Sequence, residues 1–116
     1  MATAVTEKSG GTQTASLDTE HTLLDTANAG VYQLFVDLTN LAGGASPDIT
    51  TIRVYTKIRS GGDYELIWQD IYQGGLTGAN VAAASPAFAS NIGFKATLEQ
   101  TDGTGRDYIW AVKEIG

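Results

Sequence analysis

The residues with reactive side chains are few, and their spacing does not build a catalytic site. Histidine occurs once, at His21, with Ser16, Asp18 and Asp25 close by in sequence. These are the parts of a nucleophilic triad, but a triad needs its serine at a strained turn with oxyanion donors beside it. No G-x-S-x-G stretch supplies that turn, and His21 reads as a surface histidine opening a strand. Asp63, Glu65 and Asp70 share the run DYELIWQDIY. Alternation places Asp63 and Glu65 together, yet beside an exposed hairpin they are solvated rather than tuned as the acid and base of a glycosidase. No catalytic residue is assigned, and the chain is read as non-enzymatic.

Cofactor and metal chemistry fare no better. There is no cysteine, which removes thiolate nucleophiles, disulfides and cysteine-based zinc sites together. Asp102, Asp107 and the carbonyls of the Gly103–Gly105 turn could converge on calcium. Without a D-x-[DN]-x-[DN]-G loop, Asp102-Gly103 is better explained as turn chemistry. Gly61-Gly62 and Gly74-Gly75 lack the lysine and following helix of a phosphate loop. No cofactor and no metal are expected.

Thirteen acids against seven bases give a net charge of −6, so a phosphate backbone would repel the chain on average. The bases Arg53, Lys57, Arg59, Lys95, Arg106 and Lys113 are interspersed with acids rather than gathered into a stripe, and nucleic acid is not an expected partner. MATAVTEKSGG has no apolar stretch of the signal-peptide kind, and no run approaches the roughly 20 residues of a membrane-spanning helix. Synthesis in the cytoplasm, with no membrane partner, is the expectation.

The elements that would position any site have a period of two. Tyr32, Leu34, Val36 and Leu38 alternate with Val31, Gln33, Phe35 and Asp37. Ile52, Val54 and Ile58 alternate with Arg53, Tyr55 and Lys57; Ile92, Phe94, Ala96 and Leu98 alternate with Gly93, Lys95, Thr97 and Glu99. This is the inside–outside pattern of antiparallel strands with one wet face, in runs rich in β-branched and aromatic residues. Strands are predicted at about 12–17, 21–26, 31–39, 49–58, 63–72, 92–101 and 106–115. Leu34, Val36, Ile52, Val54, Phe94, Leu98 and Trp110 are the predicted core.

Ser60-Gly61-Gly62 and Asp102-Gly103-Thr104-Gly105 both read as hairpin loops. Asn40–Asp48 reads as a longer connection, and 73–91 as a glycine- and alanine-rich crossover. Hairpins flanking one long crossover predict an all-β, antiparallel β-sandwich of jelly-roll or Greek-key type.

Two runs are apolar on both faces. In 63–72, Tyr64, Leu66, Trp68 and Tyr72 oppose Ile67 and Ile71; in 106–115, Tyr108, Trp110 and Val112 oppose Ile109, Ala111 and Ile115. A sheet covered on both sides is implied, with a partner subunit as one cover. If Tyr64, Trp68 and Tyr72 face outward as a row, they make a sugar platform or a protein contact.

Residues 1–19 are polar and threonine-rich, with Val5 and Leu17 the larger aliphatics. They read as an extended N-terminal arm laid on a neighbour, ahead of a single sandwich domain at 20–116. Threonine suits an extended chain and Gly10-Gly11 offers a hinge. The expected partner contacts are Val5, Thr12, Thr14 and Leu17 on the arm, with Tyr64, Trp68 and Tyr72 on the domain.

The stretches VYQLFVDLTNLAGG (31–44), TIRVYTKIRSGG (51–62) and FKATLEQTDGTGRDYIWAVKEI (94–115) resemble small virion proteins of tailed phages, in particular the decoration or cement proteins of their heads. The resemblance spans about half the chain and lies in style rather than in an identifying motif. It implies a capsid-surface protein of the virion that binds the major capsid protein, forms a homo-oligomer such as a trimer, and stabilises the assembled head. The other readings are a carbohydrate- or receptor-binding module of a tail fibre and a tail-tube or connector subunit.

Overall fold

A computed structural model describes residues 4–41, 43, 47–74 and 81–116. Parts of the expected arm (1–3), of the 40–48 connection and of the crossover (75–80) lie outside the described residues. The described residues form nine strands: β1 (Val5–Thr14), β2 (Glu20–Thr26), β3 (Gly30–Asp37), β4 (Ile49–Lys57), β5 (Tyr64–Gln73), β6 (Ala82–Ala84), β7 (Phe88–Ser90), β8 (Phe94–Asp102) and β9 (Asp107–Ile115). The described residues hold no helix. One antiparallel sheet runs β1-β9-β3-β6, with β7 also on β3; the other runs β2-β8-β4-β5. The all-β sandwich expected from the alternation is what the chain adopts.

The core lies between the sheets, where each strand contributes its inward set. Tyr32, Leu34, Val36 and Leu38 enter from β3 and the residue after it, Ile52 and Val54 from β4, Phe94, Ala96 and Leu98 from β8, and Tyr108 and Val112 from β9. The rings of Tyr32 and Phe94 meet at 5.0 Å in a tilted pair. Such pairs add about 1 kcal/mol beyond the burial of their area. Six of the seven predicted core residues are buried. Trp110 is half-buried instead, packed on the core from beneath β1, where the small Gly11 leaves its indole partly open.

Three expectations are corrected. First, residues 5–14, expected as an arm laid on a neighbour, pair along the length of β9 and form the edge strand of the chain's own sheet. Threonine and glycine carry no apolar periodicity, so the segment looked unable to order itself; main-chain hydrogen bonding to a formed neighbour orders it. The predicted strand at 12–17 was this strand's end, and 15–19 is the turn that crosses to the other sheet.

Second, Asp102–Gly105 is not a hairpin. β8 pairs with β2 and β4, and β9 with β1 and β3, so this turn carries the chain between sheets. Gly103 adopts a φ of 85°, and a Cβ there would lie 1.9 Å from Oδ1 of Asp48. Glycine is required both by the left-handed backbone and by the space. Ser60–Gly62, by contrast, does join a hairpin, β4 to β5.

Third, the crossover contains β6 and β7, which both pair with β3. Between them the buried Ser85 makes a bridge: its N–H donates to the Leu34 carbonyl at 2.9 Å, and its Oγ accepts from the Leu34 N–H at 3.0 Å. Pro86 has no N–H to continue the ladder, so the edge breaks into two pieces of three residues. Pieces that short carry no readable period.

Candidate interaction surface

The two outer faces of the sandwich differ in kind. On the four-stranded sheet, charged and aromatic groups satisfy one another within the chain. Arg53 donates from Nη1 to Glu99 Oε1 at 2.8 Å and from Nε to Gln69 Oε1 at 3.0 Å, with Glu20 Oε2 3.5 Å away. Glu20 Oε2 accepts from Tyr55 at 2.5 Å and from Thr97 at 2.6 Å. Burial opposes ionisation of Glu20, but the hydroxyls of Thr97 and Tyr55 and the Arg53 charge outweigh it and hold its pKa below the usual carboxylate range. The Tyr64 hydroxyl donates to Asp25. Lys95 Nζ lies 4.8 Å from the Tyr55 ring centre and 4.9 Å from that of Tyr64. Across β2, β4 and β8 this face is a polar mesh, while its β5 edge leaves Leu66 and Ile71 exposed.

The expected aromatic row does not exist on it. The β4–β5 register shifts between Val54 and Tyr55, so β5 carries a bulge at Ile67. A bulge sends two adjacent residues to the same side, and both Ile67 and Trp68 pack on the core. Ahead of the bulge Tyr64 and Leu66 point outward opposite Lys57 and Tyr55; beyond it Trp68 and Tyr72 turn inward opposite Val54 and Thr50. Tyr64 is therefore separated from Trp68 and Tyr72. The question of which face of 63–72 is buried has a split answer.

The outer face of the five-stranded sheet is different. It carries Val5, Thr12 and Thr14 from β1, Phe35 from β3, and Ile109, Ala111 and Ile115 from β9. Val5 and Ile109 are 59% and 61% exposed. A trough of about 630 Å³ crosses the face from β1 to β6. Its floor is low where Gly10 stands opposite Ala111, and on the other side of Ala111 Phe35 rises as a wall with Lys113 Nζ 4.8 Å from its ring centre. Thus Val5, Thr12 and Thr14 share one surface, whereas Leu17, although 42% exposed, sits in the inter-sheet turn. Sequence reasoning missed Phe35 and Gly10, which became visible only with the β1–β9–β3 register.

Along its outer side β1 is open: among the described residues no strand pairs there, and β9 is its one strand partner. The edge is ten residues long, broken by a bulge at Lys8 that blunts its first part and leaves Ser9–Thr14 in regular register.

The groups weighed for chemistry are engaged in structure. His21 Nε2 accepts from the Ser16 backbone N–H at 3.0 Å, bracing the β1–β2 turn rather than addressing the Ser16 hydroxyl. The carbonyls of Asp102 and Thr104 accept from Gln100 Nε2 at 2.9 and 2.7 Å, and Asp107 Oδ1 accepts from Thr14 at 2.7 Å. Among the described residues no three carboxylate or imidazole side chains gather as a metal site.

Those bonds belong to a buried polar knot at the inter-sheet turn. Asp48, 1% exposed, accepts from Arg106 Nε at 2.7 Å and from the Thr104 N–H at 2.9 Å. Tyr108 donates to Gln100 Oε1 at 2.8 Å and shares a 2.5 Å contact with the Thr50 hydroxyl. The knot fixes where β9 leaves β8, and so positions the outer face just described. No protein-family model matches the chain, and neither a curated protein nor a solved structure matches it.

Proposed function

We propose that this chain is a non-enzymatic structural protein of a virus particle, a decoration or cement subunit that binds the major capsid protein and stabilises the assembled head. The observation that supports it is the open ten-residue edge of β1, flanked by an exposed apolar face. An open edge pairs with an extended segment of another protein through main-chain hydrogen bonds, without needing any reactive group. A protein that binds the closed shell and not its free subunits stabilises the shell by mass action. The resemblance in style to head decoration proteins supplies the choice of particle.

The test is to add the purified chain to heads that lack it and follow their disruption by heat. Bound chain should raise the temperature of disruption, and an antibody to the chain should then label heads. Heads that neither bind nor gain resistance would overturn the reading. Label confined to tail fibres or to the tail tube would transfer the protein to one of those structures.

A further inference from the structure

The outer face of the five-stranded sheet places a knob beside a hole. Ile109 is 61% exposed in water. Two residues along the same strand, Ala111 floors the trough together with Gly10. A single copy leaves the knob wet and the trough unfilled. Both cost free energy, since apolar surface and unfilled contact area are unfavourable.

We propose that a second copy of this chain covers the face, packed sheet to sheet with its strands antiparallel to the first. The two-fold axis runs across the strands at the level of Trp110. Rotation about that axis exchanges residues equally spaced from Trp110 along β9. Ile109 of each copy enters the trough of the other over Ala111. Lys113, whose Nζ lies 4.8 Å from its own Phe35 ring centre, faces the other copy's Asp107, one oxygen of which already accepts from Thr14. On β1 the same rotation turns about Gly11, the register partner of Trp110. It brings the Thr12 hydroxyl over the second copy's Gly10, where the Glu7 carboxylate lies within 3.3 Å of a Cβ built at that position.

Shape and charge reject the other face-to-face arrangement. An axis along the strands would set Ile109 on Ile109 and Lys113 on Lys113, knob against knob and like charge against like. The self-complementary pairing is the isologous contact that a two-fold requires. The area suffices as well. The molecule measures 45 × 35 × 19 Å, so its broad side exceeds the roughly 800 Å² per partner of a standard interface. On the opposite face the charges of Arg53, Glu20 and Glu99 meet within one copy, and the exposed Leu66 and Ile71 lie on its edge strand β5 rather than beside a trough.

This assignment stands apart from the head-binding reading, since the dimer forms without any particle. It also places the two β1 edges on the same side of the dimer, along the axis, where both can engage one surface at once.

Sedimentation of the full-length chain tests it. The chain should be a dimer at tens of micromolar. Ile109→Arg, at an exposed position, and Lys113→Glu should each weaken the dimer by about tenfold or more. The charge exchange Asp107→Lys with Lys113→Glu should restore the affinity to within a few-fold of the parent. Because the chain has no cysteine, a mixture of Ile109→Cys and Ala111→Cys proteins should oxidise to a disulfide dimer faster than either protein alone. A monomer, a trimer, or a dimer indifferent to the charge exchange and to Ile109→Arg would overturn the proposal.

Discussion

The buried knot around Asp48 shows how single residues decide this fold. Asp48 is nearly inaccessible, yet Arg106 and the Thr104 N–H meet its oxygens. Removing Arg106 takes the counter-charge from a nearly inaccessible carboxylate, at a cost of about 3 kcal/mol. Arg106→Ala should lower the urea midpoint accordingly, whereas Arg59→Ala, on the exposed hairpin, should leave it within about 0.5 kcal/mol. Equal effects of the two would remove the knot from the account.

The tyrosines make a second prediction at this scale. All five are raised from the ordinary phenol value, with burial the leading cause in each. Tyr64, hydrogen-bonded to Asp25, and Tyr72, beside Asp70, are pushed up to about 12. A folded-state pKa above the unfolded one adds stability that is fully present below about pH 10 and is lost as pH rises through the folded value. Absorbance at 295 nm should therefore show the tyrosines ionising above the range of free tyrosine, Tyr64 and Tyr72 near 12, with loss of stability accompanying their ionisation. A clean step of one or more tyrosines at pH 10, with the fold intact, would contradict these environments.

Among the elements, β1 carries the largest revision. As an arm it would be dispensable to the fold; as an edge strand it shields Trp110 and continues into a turn that is tied down twice. The Ala15 N–H donates to the Arg106 carbonyl at 2.9 Å and the Asp18 N–H to the Gln100 carbonyl at 2.8 Å. Deleting residues 1–19 should thus cost several kcal/mol, read as a large fall in melting temperature and partial loss of strand signal in circular dichroism. A truncated chain as stable as full length would return the segment to an arm.

How far the elements were legible follows from this difference. β3, β4 and β8 alternate because one face turns its large apolar side chains to the core, and those inward residues could be read directly; β9, apolar on both faces, could not. β5 and β2 could not be read so, because bulges reverse the alternation midway: Ile67 and Trp68, and likewise Leu23 and Leu24, are neighbours in sequence that pack on one side. β1 has no apolar alternation to read. Its order comes from β9, a partner about a hundred residues away in the chain. The trough was hidden for the same reason, since Gly10, Ala111 and Phe35 become neighbours only through strand pairing.

For the whole molecule, the four-stranded side turns a polar mesh to solvent, bordered on β5 by the exposed Leu66 and Ile71. The five-stranded side offers a knob, a trough and an open edge. The proposed placement on the surface of an assembled head draws on that edge and face and on no reactive group. The most direct measurement is electron cryomicroscopy of the particles released by the cells that encode the chain. The account predicts density for the two-sheet sandwich on the outer surface of the head, with the β1 edge against the major capsid protein. Heads bare of that density, or the sandwich resolved in the tail instead, would contradict it.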